Sequence, residues 1–63
     1  MSIGRNMTML MYDQKIKQKE LAESLGVSEQ TISRFVNDEK IPSTNRLIQI
    51  AKVLNVTLDE LVR

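Results

Sequence analysis

The 63-residue chain contains no cysteine and no histidine, which excludes disulfides, thiol catalysis and the Cys/His clusters that hold zinc. Tryptophan is absent, and Tyr12 and Phe35 are the only aromatic residues. A single proline, Pro42, and two glycines, Gly4 and Gly26, leave few points at which the backbone is forced to turn. No run of about 18 uncharged apolar residues occurs, and the N-terminus lacks the apolar core of a secretory leader, so neither a membrane span nor a signal peptide is legible. A large excess of one charge sign is also missing: nine lysines and arginines face eight acidic residues, for a formal net charge of +1. Together these absences predict a cytoplasmic protein with no metal, no cofactor and no membrane association.

Hydrophobic residues make up 41% of the chain and charged residues 27%, ordinary for a folded domain and too apolar for a disordered tail. At this length the chain can build one domain, spanning 1–63, and can withdraw only roughly 60% of its unfolded surface from water. Lysine and arginine are spread from Arg5 to Lys52, whereas the last seven residues set Asp59 and Glu60 against Arg63 alone. Positive charge is therefore concentrated away from the C-terminus.

Apolar periodicity predicts five helices and no sheet. Ile3, Met7, Leu10 and Met11 form a helical stripe ending near Asp13, with Met9 off the stripe and on the surface. A second helix runs from Gln18 to Leu25, with Leu21, Ala22 and Leu25 on one face and Gly26 as its left-handed stop. Ser28 caps a third, over about 29–37, whose inward stripe is Ile32, Phe35 and Val36. After the loop NDEKIPS, Ser43 caps a fourth helix carrying Leu47, Ile50, Ala51 and Leu54, and Asn55 stops it. Thr57 and Glu60 then have capping-box spacing, with Val56 and Leu61 placed as a hydrophobic staple for a short fifth helix. The staple recurs as Ile16 with Leu21 and Val27 with Ile32, so three helix starts have apolar pairs to fix the entry angle.

The join Gly26-Val27-Ser28 is too short for the third helix to fold back along the second, and it imposes the steep crossing of a helix-turn-helix. Gln30, Ser33, Arg34 and Asn37 then form a polar stripe opposite the apolar one. Gln can pair bidentately with adenine, and Arg with O6 and N7 of guanine, in a duplex major groove. Ser28 and Glu29, at the helix start, enter first. Glu29 either accepts from cytosine N4 or simply favours the positive end of the helix dipole. A polar outward face is also what any solvated helix shows; what sets this one apart is the join, with Ala22 at the crossing, Gly26 at the turn and Ile32 inside.

These residues resemble the Cro and phage-repressor type of helix-turn-helix regulators, phage or bacterial, over nearly the whole chain. Ile3-Gly4, the run QKELAESLGVSEQTIS from Gln18, Asn37, Pro42-Ser43 and LIQIAKVLNVTLDEL from Leu47 stand in that family's order and spacing. The resemblance implies an all-α, five-helix repressor-like bundle that binds double-stranded DNA at an operator. It implies base contacts from Ser28, Glu29, Gln30, Ser33 and Arg34, and phosphate contacts from Gln18, Thr31, Asn37 and Lys40, with Lys19 and Arg46 as further phosphate candidates and Lys15 and Lys17 beside them. It also implies a homodimer on DNA that meets through the loop after the third helix and the C-terminal end, here Ile41, Leu58 and Val62. Leu58 and Leu61 are at the same time expected in the core.

Four departures from the family pattern have physical readings. Asp38 and Asn55 stand where many relatives carry glycine, and both tolerate positive φ. Lys17 replaces a capping Ser or Thr, at a cost to the second helix of ~1 kcal/mol. Met11 and Val36 replace an Arg–Glu bridge found in some relatives, and the loss of both charges together strands neither, so the two side chains are expected to pack on each other.

Two rival classes frame this reading. An enzyme would have to work without His or Cys and without a recognisable buried carboxylate pair. An antitoxin or adaptor would use the same fold to cover a protein partner, which the low net charge and the Met-rich first helix suit. Ending at Arg63, one residue after the last helix, fits a minimal regulator or the N-terminal domain of a longer one.

Overall fold

A computed structural model describes residues 2–63. Its elements are α1 (Ile3–Gln14), α2 (Gln18–Leu25), α3 (Glu29–Val36), α4 (Thr44–Val53) and α5 (Leu58–Val62), with no strand among the described residues. The expected and observed boundaries agree to within a residue: α1 runs to Gln14 and α3 stops at Val36.

The starts of the helices follow capping chemistry. Ser28, Ser43 and Thr57 each accept the backbone N–H three residues on, at 3.1, 3.2 and 3.1 Å. At α5 the Glu60 carboxylate returns the contact by accepting the Thr57 N–H at 3.1 Å, completing the capping box. At α2 only half of such a box forms. Glu20 accepts the Lys17 N–H at 2.9 Å, but an ammonium has no lone pair with which to reciprocate.

The ends share a different geometry. Lys15, Gly26, Asp38 and Asn55 all have left-handed φ, between 57° and 71°. After each, an N–H reaches back five residues: Ile16 to the Met11 carbonyl, Val27 to Ala22, Glu39 to Arg34 and Val56 to Ala51, at 2.8 to 3.0 Å. This Schellman-type closure satisfies carbonyls that the helix ends leave unpaired. Asp38 and Asn55 adopt it in place of glycine as their short polar side chains predict, and Lys15 does so without that advantage.

The helices close over one core of Met7, Met11, Leu21, Ala22, Ile32, Phe35, Ile50, Ala51, Leu54 and Leu61. Ile16, Val27 and Val56, the outer halves of the three staples, pack against it, as does Val36. Met11 and Val36 thus serve the same apolar body in place of an ion pair. No charged side chain is buried among the described residues. Leu58 departs from its expected core position: Leu61 is fully buried, but Leu58 is 38% exposed. Leu58 and Leu61, three residues apart, share one face of α5, but Leu58 is its first residue and lies at the edge of that face.

Side chains of α1 tie the far ends of the bundle. Asn6 Nδ2 donates to the Leu61 and Arg63 carbonyls at 2.7 and 3.0 Å, and Gln14 Nε2 donates to the Leu54 carbonyl. The start of α1 lies against the end of α3 so closely that a Cβ on Gly4 would stand 2.3 Å from the Val36 carbonyl oxygen. Asp38 locks this approach. Its carboxylate accepts the Ser2 hydroxyl at 2.6 Å and the Gly4 N–H at 3.2 Å, while Ser2 Oγ accepts the Arg5 N–H at 3.0 Å.

Candidate nucleic-acid interface

The site is one helix, held at both ends and along one side. At its start, Gly26 (φ 71°) reverses the chain and Val27 packs under it. Ser28 then caps α3, its hydroxyl 2.9 Å from that of Thr31. Along its inner side Ile32 and Phe35 are buried, and at its end Asp38 grips the first turn of α1. Eight residues make a rod about 12 Å long, comparable with the width of the B-DNA major groove, about 12 Å.

The opposite side of α3 faces outward. Glu29, Gln30, Arg34 and Asn37 are exposed, and Ser33 and Thr31 are half-buried beside them. Among the described residues the side chains of Glu29, Gln30 and Arg34 make no hydrogen bond or ion pair within the molecule, so their donors and acceptors are uncommitted. Asn37 Nδ2 reaches Ser33 Oγ only at 3.4 Å, a weak contact. Ser28 differs from its neighbours because its hydroxyl is already the helix cap. Glu29 in the first turn and Arg34 in the last both match the helix dipole.

Beside α3, the loop to α4 forms a groove lined by Thr31, Lys40, Ser43 and Arg46 together with the apolar Phe35, Ile41 and Pro42. Three of the residues expected at phosphates, Thr31, Lys40 and Arg46, are therefore brought together. Gln18, half-buried, and Lys19, exposed, stand apart from that groove at the start of α2. Arg46 is more engaged than its expected role implies: its Nη1 donates to the Leu25 carbonyl at 3.2 Å and to Gln49 Oε1 at 2.8 Å. Two positioning contacts had no sequence signal of their own. Leu25 and Arg46 are 21 residues apart and Asp38 and Gly4 are 34 apart, beyond the range of any periodic or capping pattern.

Known proteins share this arrangement. A family model described as helix-turn-helix matches residues 10–61. The P22 c2 repressor in complex with a synthetic operator superposes with a TM-score of 0.89 at 28% identity, over 97% of this chain and 92% of that one. The solution structure of the P22 c2 repressor's DNA-binding domain gives 0.94 at 27% identity, over 98% of this chain and 82% of that one. SinR, a master regulator for biofilm formation, in complex with DNA, gives 0.88 at 26% identity, over 97% and 98%. No curated protein matches the sequence. With five helices, a glycine-turned join between α2 and α3 and a family match over most of its length, the chain belongs to the helix-turn-helix family of the Cro and phage-repressor type.

Proposed function

We infer that the protein binds double-stranded DNA sequence-specifically and acts as a repressor-like transcriptional regulator, with α3 in the major groove. The observation that carries this is the division of α3 into a buried side and an outward side whose Glu29, Gln30 and Arg34 side chains are engaged with nothing else in the described molecule. Gln30, Ser33 and Arg34 read base edges, with Ser28 and Glu29 at the entry to the groove. Gln18, Thr31, Asn37 and Lys40 hold phosphates, with Lys19 as a further candidate. Phosphate contacts set orientation and base contacts set sequence. The likeness to two repressor-type proteins solved on DNA supports the same mode.

One copy spans few base pairs, so two act together on half-sites about one helical turn apart. Ile41, 78% exposed, and Leu58 offer apolar contacts for the second copy. The chain acts by occupancy, as a single domain over 1–63, in the cytoplasm and without enzymatic chemistry. No helix among the described residues is long and apolar enough to cross a membrane. A second reading, a protein-binding adaptor or antitoxin, draws support from Met9 and Tyr12 on α1, which are 56% and 83% exposed.

Selection of bound sites from random duplexes tests the main reading. An enriched motif is expected, and Arg34→Ala should relax discrimination at one position by ~1–3 kcal/mol. Absence of any enriched motif, together with a protein partner whose binding is insensitive to salt, would move the protein to the second reading.

A further inference from the structure

Arg46 occupies an awkward position on its own helix. It is the third residue of α4, in a first turn that contains no acidic residue, where the positive end of the helix dipole disfavours a cation. At the C-terminal end of α2 the deficit is the reverse: its last turn has no basic residue. Glu23 adds negative charge at that end. The Schellman closure there satisfies the Ala22 and Glu23 carbonyls through Gly26 and Val27, and does not reach the Leu25 carbonyl. Arg46 Nη1 does reach it, at 3.2 Å, and Gln49 Oε1 fixes the guanidinium from one turn further along α4, at 2.8 Å.

We propose that Arg46 is a positioning residue: a cation lent by α4 to the end of α2, bracing the Gly26 turn that sets the angle of α3. Its contribution to DNA binding then comes through the orientation of the reading helix and not through neutralisation of a phosphate. The proposal rests on the DNA-binding reading for its consequence, but the brace itself is a property of the free protein. Both contacts come from one nitrogen, Nη1, which donates to the Leu25 carbonyl and to the Gln49 amide oxygen together.

The test separates the brace from the phosphate role and from the DNA reading. In the free protein, Arg46→Met should speed amide hydrogen exchange at Gly26 and Val27 by roughly tenfold, the size of one lost charge-assisted hydrogen bond, with the helical fold retained by circular dichroism. Gln49→Leu keeps the Arg46 charge and removes only its orienting acceptor, and it should move the same two amides in the same direction by a smaller factor. On a selected duplex, Arg46→Met should weaken binding roughly tenfold while the slope of log affinity against log salt stays as in the parent protein. A slope shallower by about 0.9 would overturn the proposal, because that is the signature of one phosphate no longer neutralised. Unchanged exchange at Gly26 and Val27 in Arg46→Met would overturn it as well. If the parent protein binds no duplex, the exchange arm still decides the brace while the DNA reading fails separately.

Discussion

The start of α3 is held by its immediate neighbours, Gly26 turning the chain, Val27 packing beneath and Ser28 capping, all within three residues of the first turn. The end of α3 is held from across the molecule, where Asp38 takes the Ser2 hydroxyl and the Gly4 N–H, 36 and 34 positions away. The first joint is set by the preferred angles of its own few residues, with Arg46 reaching only the Leu25 carbonyl before it. The second exists only when α1 has docked, so it reports on the whole fold. A helix that must present side chains at a fixed angle uses one joint of each kind.

Substitutions at the two joints separate them. Gly4→Ala should have the largest effect: alanine favours a helix by about 1 kcal/mol over glycine, yet its Cβ would sit 2.3 Å from one backbone oxygen and 2.7 Å from a second. Neither oxygen belongs to a side chain that can rotate away, so overpacking wins and a net loss of about 2 kcal/mol is expected, near 10 °C in a thermal melt. Gly26→Ala meets no atom within 4 Å and carries only the strain of φ 71°, giving about 1–2 kcal/mol in denaturant unfolding. If Gly26→Ala proved the costlier, the distinction between the joints would fail.

Asp38→Gly sharpens the comparison because two effects oppose. Glycine relieves the left-handed strain, and the same change removes a carboxylate from the start of α1. The lost hydrogen bonds outweigh the relief, so a net loss of about 1 kcal/mol is expected. A gain in stability would show the Asp38 contacts to be worth less than the strain.

The smallest effect belongs to a purely local cap, and it depends on pH. Glu60 is held below its ordinary carboxylate value, chiefly by the Thr57 N–H and then by the Thr57 hydroxyl. Because the folded value is the lower one, this stabilisation is present above the ordinary carboxylate range and is lost as pH falls through the folded value. The melting temperature of Glu60→Gln should therefore fall less on acidification than that of the parent, with the two converging at low pH.

The same division explains what was legible in the sequence. Helix starts, the Gly26 stop, the left-handed Asp38 and Asn55 and all ten core residues follow from chemistry confined to one helix and its ends. Ile41, expected at a dimer contact, lies at the surface, whereas Leu58, expected in the core, is exposed as well. What escaped was long-range or unconventional. Lys15 turns left-handed with no side-chain preference to announce it. Asp38 looked like a glycine substitute and proved to be the anchor of α1. Arg46, a phosphate candidate by resemblance, faces a carbonyl of another helix. Each of these depends on which helices meet, and spacing along one helix carries no trace of that.

The outward side of α3 contributes almost nothing to holding the molecule together. Glu29, Gln30 and Arg34 can therefore be exchanged as a set at little thermodynamic risk, since isolated surface replacements seldom exceed about 0.5 kcal/mol. Such a scaffold can acquire a new target vocabulary without first acquiring spare stability.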